Sequence, residues 1–394
     1  MSHWIFTEEH KMFRKSVQKY LEKELSPYVE EWEKAGRIPG SFYEQLSKMG
    51  YIGISSPEEY GGNHADLVTE AVFLEELGKY GTGGIAASIS YHLMSLALLS
   101  SFGSEEQKRN DLSKAISGEK IATLALHELA VGSKELKDTE LRAVQDGDDY
   151  LLNGKKKFVI NGGSSDFICV TAITDPSKGL DGTSLFIIDR ESSHVTIDRK
   201  IKKLGWRASE TVDLSFNNVK VSKDAVVGEV NEANSYLEKS TQWFQVIQAL
   251  LSIGVAEKSL EDTIRYSKER KQFGKTINHF QVLQHKMADM AVELEKSRNL
   301  TYRALYLLNE GEDAAVESAM AKAFAGEMVK QVADSAVQIH GGMGYMMETP
   351  VQRYWRDARG MSIIGGTTEQ LHGMISKFLE TGPARKDAEY SKSL

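Results

Sequence analysis

Three short segments in the last third of the chain contain residue types that could bind an anionic ligand. Arg270 opens the segment RKQFG, where a guanidinium could either interact with a helix dipole or grip two phosphate oxygens. Residues 338–345, QIHGGMGY, carry three glycines that could cap a helix or let a ligand approach the backbone closely. Residues 362–370, SIIGGTTEQ, predict a turn that opens a helix with free amide groups. Taken alone, the first two segments favour the structural explanation.

Stronger enzyme motifs are missing from the sequence, and its composition narrows the class of protein. No cysteine and histidine set has metal-ligand spacing, no GxSxG segment occurs and no GxGxxG follows a strand, so we predict no metal site. Cys169 lies in the apolar run FICVTAI, which predicts a buried, unreactive thiol. A net charge of -8 without a basic cluster argues against a nucleic-acid partner.

The sequence gives no sign of a membrane or secretory segment. No apolar run approaches the roughly 20 residues that a membrane span needs. The N-terminal segment MSHWIFTEEHKMFRK lacks the apolar stretch of a signal peptide. We therefore expect a cytoplasmic protein without a membrane span.

The hydrophobic period changes twice along the chain. It is helical up to about residue 120, becomes two in short β-rich stretches between residues 121 and 230, and is helical again to the end. DG and NG pairs in the middle part are predicted to form tight turns between strands. We therefore predict an α+β fold with an N-terminal helical domain at 1–120, a central β-domain at 121–230 and a C-terminal helical bundle at 231–394.

Five sequence blocks, in this order and spacing, resemble the acyl-CoA dehydrogenase family over almost the whole chain. The blocks are SSPEEYGG (55–62), KLGWRASET (203–211), ERKQFGKTINHFQVLQHKMADMA (269–291), QIHGGMGY (338–345) and RYWRDAR (353–359). The resemblance implies a C-terminal four-helix bundle, FAD held between the domains, and assembly into a homodimer or homotetramer. It also implies an acyl thioester substrate, carried by CoA or by an acyl carrier protein, and electron-transfer flavoprotein or oxygen as the electron acceptor.

The resemblance implies two sets of residues for the nucleotide half of FAD. The set that serves the pyrophosphate and its surroundings consists of Arg270, Gln272, Phe273, Phe280 and Gln281. The second set includes a loop that reaches the FAD of a neighbouring subunit and contacts near the adenine or pyrophosphate. It consists of Gln338, Gly341, Gly342, Thr367 and Glu369. Arginine suits a pyrophosphate because its fork binds two oxygens while staying charged.

The segments that the family places against the flavin ring depart from its pattern. Where relatives commonly read TEPxAGSD, this chain reads HELAVGSK, in which Gly132 and Ser133 match but His127, Leu129 and Lys134 depart. A W-I-T triplet of relatives is replaced by Phe158, Val159 and Ile160, and Ile160 lacks the hydroxyl that threonine offers near the reactive ring nitrogen. The implied ring contacts are Leu126, His127, Gly132, Ser133, Phe158 and Ile160.

The catalytic base of the family is absent from both of its known positions. Dehydrogenation of an acyl thioester needs a carboxylate to remove the α-proton, and the family commonly supplies it from a turn reading IYEGT, where this chain has Gly365. Some relatives place the base on a long helix instead, and there this chain has Phe244. His127 is an alternative base, although its matched position faces the pyrimidine edge of the flavin. We therefore assign no catalytic residue.

Three functional hypotheses remain open at this stage. The first is an FAD-dependent dehydrogenase of an acyl thioester with a non-standard or missing base. Gln242 and Gln245, which replace charged residues of the family, weaken the expectation of CoA binding and favour a carrier-protein substrate. The second is a flavin-dependent monooxygenase of the same fold, which needs no α-proton acceptor. The third is a non-catalytic homologue that keeps the fold for assembly.

Overall fold

The first part of the chain is helical. The structure, a computed structural model, describes residues 3–126, 141–192 and 194–381. Thr7 caps the first helix, because its hydroxyl accepts a hydrogen bond from the His10 N–H group at 3.3 Å. The helices of this part are α1 (Glu8–Glu24), α2 (Val29–Ala35), α3 (Gly40–Lys48), α4 (Leu67–Phe102), α5 (Glu105–Gln107) and α6 (Ser113–Ile116).

The middle part is a sheet. Its strands are β1 (Ala122–Ala125), β2 (Arg142–Asp146), β3 (Asp149–Ile160), β4 (Phe167–Ile173), β5 (Thr183–Asp189), β6 (Val195–Lys200), β7 (Thr211–Ser222) and β8 (Val226–Val227). They follow the order β6-β7-β3-β2-β4-β5-β8 in the sheet, with β1 paired parallel to β4. Cys169 on β4 is fully buried and burial raises the pKa of its thiol, which confirms the predicted buried position.

An Asp-Gly pair and an Asn-Gly pair of this sheet have different backbone roles. The turn between β2 and β3 contains Gly147 at φ 65°, as the DG pair predicts. The pair Asn153–Gly154 is not a turn but lies inside β3, where the register against β7 shifts between Leu152 and Gly154. Asn153–Gly154 thus marks a β-bulge that bends a long strand. The NG pair that follows this strand, Asn161–Gly162, lies in a turn with Asn161 at φ 56°, as predicted.

The last part is a helical bundle that begins with the longest helix. Its elements are α7 (Ala233–Glu269), the hairpin strands β9 (Lys271–Gln272) and β10 (Lys275–Thr276), α8 (Gln281–Asn309), α9 (Ala315–His340), α10 (Val351–Met361) and α11 (Thr368–Thr381). A helical part, a sheet and a second helical part, in this order, confirm the predicted α+β class.

Helix α4 joins the two helical parts. Its Gly78 lies against the backbone of α7, because a Cβ at that position would be 2.5 Å from the carbonyl oxygen of Leu251. Gly254 of α7 makes the reciprocal close approach to the backbone at Glu75. Among the described residues α4 alone is long and apolar enough to cross a membrane, and 72% of its apolar window is buried inside the fold. Close helix packing accounts for this apolar composition.

A buried ion cluster fastens α1 and α8 to α4. Glu75 accepts hydrogen bonds from Arg14 at 3.2 Å, from Arg298 at 3.1 Å and from the Tyr302 hydroxyl at 2.6 Å. Arg14 and Arg298 hold the pKa of Glu75 at about 2, against the opposing effect of burial. Because removing one partner would leave a buried charge unpaired, this cluster fixes the relative positions of the three helices.

Candidate functional site

Arg270 lies where α7 ends and a short hairpin begins. Its backbone is extended, with φ -71° and ψ 129°, so the helix stops there. The hairpin turn consists of Phe273 at φ 51° and Gly274 at φ 79°, and two positive φ angles are typical of a tight two-residue turn. Gln272 is exposed and Phe273 is 91% exposed. The guanidinium of Arg270 is exposed and forms no ion pair with any described residue.

The next helix presents an uncapped N-terminus beside this hairpin. Phe280 is the N-cap residue of α8, and no side chain caps the helix. Its ring lies edge-on to Phe273, with centroids 6.2 Å apart, and the Lys275 ammonium lies 4.5 Å from the ring centroid. Gln281 follows with an exposed side chain. Because the free N–H groups and the dipole of a helix start favour negative charge, this end of α8 suits a phosphate.

The glycine loop after α9 lies at the same end of the bundle. The rings of Tyr266, near the end of α7, and His340, at the end of α9, stack with centroids 4.2 Å apart. Gln338 is exposed, and a Cβ at Gly341 or Gly342 would meet no described atom within 4 Å. An exposed guanidinium, exposed amide side chains, an uncapped helix and an accessible glycine backbone fit the pyrophosphate and nucleotide half of FAD.

The turn before α11 is built by two glycines and closed by a capping box. Gly365 and Gly366 have φ angles of 73° and 106°, in the left-handed region that glycine adopts readily. The Thr367 N–H group donates to the Gln370 side chain at 2.9 Å, and the Gln370 N–H group donates to the Thr367 hydroxyl at 3.2 Å. Thr367 thus serves its own helix. Glu369 is exposed, and hydrogen bonds from its own backbone N–H group and from Thr367 lower its pKa.

A buried lysine holds this turn from below. The Lys322 ammonium, on α9, donates a hydrogen bond to the Gly366 carbonyl. Lys322 is 1% exposed, and burial lowers its pKa to about 8, while Glu327 and Glu369 oppose the shift. The Thr368 hydroxyl donates to Glu327 at 2.9 Å, so α9 contacts both the turn and the first residue of α11.

One chain does not bring the Arg270 end and the Gly365 turn together. The position of a Cβ at Gly365 lies 3.3 Å from Cγ of Gln248 on α7. From Gln248 to Arg270 the chain continues as helix for 22 residues, which corresponds to about 33 Å. The predicted nucleotide contacts therefore form two separate groups within a single chain.

The predicted ring contacts that the structure describes lie at the ends of β1 and β3. Phe158 is 52% exposed with φ 55°, and its N–H group donates to Asp213 at 3.0 Å. Ile160 is 4% exposed in the main core, and its carbonyl accepts a hydrogen bond from the Thr123 hydroxyl at 2.5 Å. Leu126 is partly buried against the same core. The remaining predicted ring contacts, His127, Gly132 and Ser133, lie outside the described residues.

One glutamine, Gln248, lies next to both expected base positions, and sequence reasoning missed it. Phe244 is 8% exposed on α7, and Gln248 lies one helical turn further along the same face. Gln248 is 3% exposed and lies against Gly365, so its side chain occupies the space beside the turn. Counting four residues on from Phe244 along a helix would have found it. The residue that lies between the two expected base positions is therefore an amide and not a carboxylate.

Gln242, which the sequence analysis connected with weaker CoA binding, has a structural role. Its side-chain amide donates to Asp313 at 2.7 Å, and its oxygen accepts a hydrogen bond from the Ala314 N–H group at 2.9 Å. Gln242 thus fastens α7 to the start of α9, and its amide is engaged within the chain.

Asp357 is a further positioning residue that the sequence analysis did not single out, although it lies in the quoted block RYWRDAR. It accepts hydrogen bonds from the backbone N–H groups of Trp206 at 2.6 Å and Gly83 at 3.0 Å. Burial raises its pKa to about 6. A Cβ at Gly360 would lie 3.3 Å from the Trp206 ring nitrogen and 3.5 Å from Ile364. Asp357 therefore connects α4, the Trp206 loop and the helix that leads into the glycine turn.

The described ranges contain no group of three histidine, cysteine or acidic side chains that could hold a metal ion. The arrangement instead offers an anion-binding end, a glycine turn with a buried glutamine and, earlier in the sequence, the ends of β1 and β3.

Comparisons with known proteins place this arrangement in a family. Residues 7–119, 123–219 and 236–380 match the N-terminal, middle and C-terminal domains of acyl-CoA dehydrogenase. The caffeyl-CoA reductase-Etf complex subunit CarC of Acetobacterium woodii is 37% identical over 95% of this chain and 99% of its own length.

Two solved structures share the fold over nearly their whole length. Butyryl-CoA dehydrogenase of Megasphaera elsdenii has a TM-score of 0.90 and 33% identity, covering 96% of this chain and 100% of its own. The prolyl acyl carrier protein oxidase AnaB has a TM-score of 0.89 and 30% identity, covering 95% of this chain and 99% of its own. The chain therefore belongs to the acyl-CoA dehydrogenase family, whose members are FAD-dependent oxidoreductases of acyl thioesters.

Proposed function

We propose that this protein is an FAD-dependent oxidoreductase that acts on the Cα–Cβ bond of an acyl thioester without a carboxylate base at either of the family's positions. The observation that carries the proposal is the pairing of an exposed anion-binding end with a glycine turn that faces Gln248. FAD, when bound, supplies the centre that exchanges a hydride with the substrate. Arg270, Gln272 and Gln281 bind its pyrophosphate end, and Gly341 and Gly342 let it approach the backbone.

The residues at the thioester end position the acyl group but cannot take its α-proton. Phe244 and Gln248 lie on α7, and Gln248 packs directly against the turn at Gly365, so that α7 and the turn line the same side of the acyl site. A carboxamide has no basic site near neutral pH, and neither a glycine nor a phenylalanine can accept a proton. A positioned general base contributes about 10² to 10⁴ in rate, so the reaction with ordinary saturated substrates is slow by a factor of this size.

The thioester is carried by an acyl carrier protein rather than by CoA in this proposal. Gln242 is engaged with Asp313, and Gln245 is buried, so neither offers the charged group that relatives have there. AnaB, which shares the fold at 30% identity, acts on a prolyl group bound to an acyl carrier protein, as its name states. The active protein is a cytoplasmic homodimer or homotetramer, and electron-transfer flavoprotein exchanges electrons with it, as the name of the CarC complex suggests.

An anaerobic half-reaction tests the proposal. The purified protein should contain FAD or take it up, and saturated acyl-CoAs of 4 to 16 carbons should bleach the flavin absorbance slowly or not at all. Calorimetric titration of the same series should show weak binding, and the same acyl groups on a carrier protein should bind more tightly. If the protein takes up no flavin, the proposed FAD-dependent activity is wrong. If an ordinary acyl-CoA bleaches the flavin rapidly, the proposal that the protein lacks an effective base is wrong.

A monooxygenase is the second candidate, because the same missing carboxylate is no handicap to a reaction that removes no α-proton. Chemically reduced protein should then consume oxygen quickly in the presence of a thioester and yield a hydroxylated product. Slow oxygen consumption without hydroxylation would exclude this candidate.

A further inference from the structure

The face of α7 that contacts the Gly365 turn contains two buried glutamines whose side-chain oxygens accept no hydrogen bond from any described residue. Gln245 and Gln248 are 2% and 3% exposed, and they are three residues apart on a helix, so they are neighbours. Within the part of the chain that the structure describes, the side-chain oxygen of neither residue has a hydrogen-bond partner. The only hydrogen bond of the Gln245 amide among these residues goes to the Met374 sulfur, at 4.0 Å.

Two unpaired carboxamide oxygens are costly in an apolar wall. The residues around them on α7, Val246, Ile247 and Leu250, are fully buried. A leucine or methionine would fill the same volume without a polar atom to satisfy, so packing alone does not explain two glutamines. Buried polar groups that lack partners in the chain are explained when a ligand supplies the partner.

The position of Gln248 indicates which part of a ligand it meets. Its Cγ lies 3.3 Å from the place of a Cβ at Gly365, the position from which relatives reach the α-carbon of the substrate. A group that pairs with Gln248 therefore lies within the first few carbons of the acyl chain. A hydroxyl both donates and accepts, so it can pair with a carboxamide in either orientation of the amide.

We propose that Gln248, assisted by Gln245, selects an acyl thioester that carries a hydroxyl group close to the thioester over a plain hydrocarbon chain. This inference rests on the proposed function and adds a substrate class to it. A site built to pair with a hydroxyl rejects an analogue that lacks it, because the buried amide is then left unpaired. A hydroxyl should therefore tighten binding by about tenfold or more.

The test uses FAD-loaded protein and two isosteric pairs of phosphopantetheine thioesters, which carry the arm common to CoA and carrier proteins. The pairs are 3-hydroxybutyryl with 3-methylbutyryl, and 4-hydroxybutyryl with pentanoyl. Calorimetry should show the hydroxylated member of at least one pair binding about tenfold or more tightly, and Gln248→Leu should abolish the preference. Gln245→Leu should reduce it.

Gln107→Leu is the matched control. Gln107 is also buried, at 6% exposure, but its amide donates to the carbonyls of Asp224 and Val226. Its replacement should lower the melting temperature and leave the substrate preference unchanged, whereas Gln248→Leu should raise the melting temperature of the protein without substrate. The melting temperature thus tests the unpaired state of Gln248 even where a variant binds poorly.

Three results would contradict the inference. Equal binding within both pairs would reject the selection of a hydroxyl while leaving the thioester function intact. A preference that survives Gln248→Leu would assign it to other residues. Failure of all four thioesters to bind would contradict the proposed function itself, and the inference with it.

Discussion

At the scale of single residues, Gly365 and Phe244 differ in how well they could accommodate a carboxylate. A side chain at Gly365 needs a φ of 73° and approaches Gln248 to 3.3 Å, so the backbone is strained and the neighbour must move. Phe244 lies within α7, where any helix-forming residue keeps its ordinary backbone. The helix position is therefore the easier one in which to rebuild a base.

Phe244→Glu should accelerate anaerobic flavin bleaching by a saturated acyl thioester more than Gly365→Glu does, by up to about 10² to 10⁴ over the unmodified protein. Gly365→Glu should improve when Gln248→Ala is added, because the space beside the turn is then free. Stopped-flow absorbance measures both rates. Phe244→Gln, which has the same shape without a base, is the control, and equal rates for the glutamate and glutamine variants would reject the explanation.

Lys322 makes the stability of the turn depend on pH in the alkaline range. Its pKa is lowered from 10.5 to about 8 in the folded protein, so the unfolded chain binds more protons between these values. Stability from this residue therefore rises as the pH increases from about 8 to 10.5. Since one pKa unit corresponds to about 1.4 kcal/mol, the rise amounts to at most about 3 kcal/mol.

Lys322→Met should remove this rise. Denaturant unfolding of both proteins at pH 7.5 and pH 10.5 should show that the stability of the unmodified protein gains on that of the variant as the pH increases. Lys268→Met, at an exposed position near the end of α7, should show the same increase in stability between pH 7.5 and pH 10.5 as the unmodified protein. If the difference in free energy of unfolding between Lys322→Met and the unmodified protein stays constant over this pH range, the lowered pKa of Lys322 is contradicted.

At the scale of elements, the break in α4 is a strained feature of the backbone that lies close to the candidate site. Thr82 has φ 57° and ψ -172°, a region that glycine adopts almost alone. Its side chain is 3% exposed, and its hydroxyl has no partner among the described residues. Gly83 follows at once and donates to Asp357, so the break places α4 against the Trp206 loop.

Thr82→Gly should raise the free energy of unfolding by about 1 kcal/mol, because relief of strain and loss of an unpaired hydroxyl outweigh the added flexibility of glycine. Thr263→Gly is a matched control, since Thr263 is fully buried in a long helix at an ordinary helical position. That change should destabilise the protein by about 1 kcal/mol or more. Thermal unfolding of both variants measures these changes. A lower melting temperature for Thr82→Gly than for the unmodified protein would contradict the proposal that the backbone at Thr82 is strained.

The elements could be predicted where their periodicity extends over many residues. The β-rich stretches at 123–128, 150–160, 167–173, 184–189, 194–199 and 211–216 predict strands that correspond to β1 and β3 to β7. Strands β2 and β8 were missed because only one residue of β2 is buried and β8 has only two residues. The site could be predicted where family motifs survive in the sequence. Gln248 could be located one helical turn after Phe244, but its contact with Gly365 could not be predicted. Lys322 could not be predicted at all, because its importance depends on a contact with a turn more than forty residues away along the chain.

At the scale of the whole molecule, the separation of about 33 Å along α7 explains why one chain cannot complete the predicted site. The group around Arg270 lies at one end of the bundle, and the Gly365 turn lies towards the other. A second copy of the chain in the proposed dimer can bring its Arg270 end to the turn of the first. Binding of FAD and assembly are then coupled, because each stabilises the other.

Arg270→Ala should weaken FAD binding by about 10- to 100-fold, since a hydrogen bond from a charged group contributes roughly 1.5 to 3 kcal/mol. Arg37→Ala removes the same charge from an exposed position in the N-terminal part and should leave FAD binding unchanged. Flavin absorbance after gel filtration measures the bound fraction, and light scattering at the same concentrations measures the mass of the particle. If assembly completes the site, dilution should release FAD from the unmodified protein over the same range in which the assembly dissociates, and Arg270→Ala should shift both transitions to higher protein concentration. A monomer that keeps its FAD on dilution would show instead that one chain holds the cofactor alone.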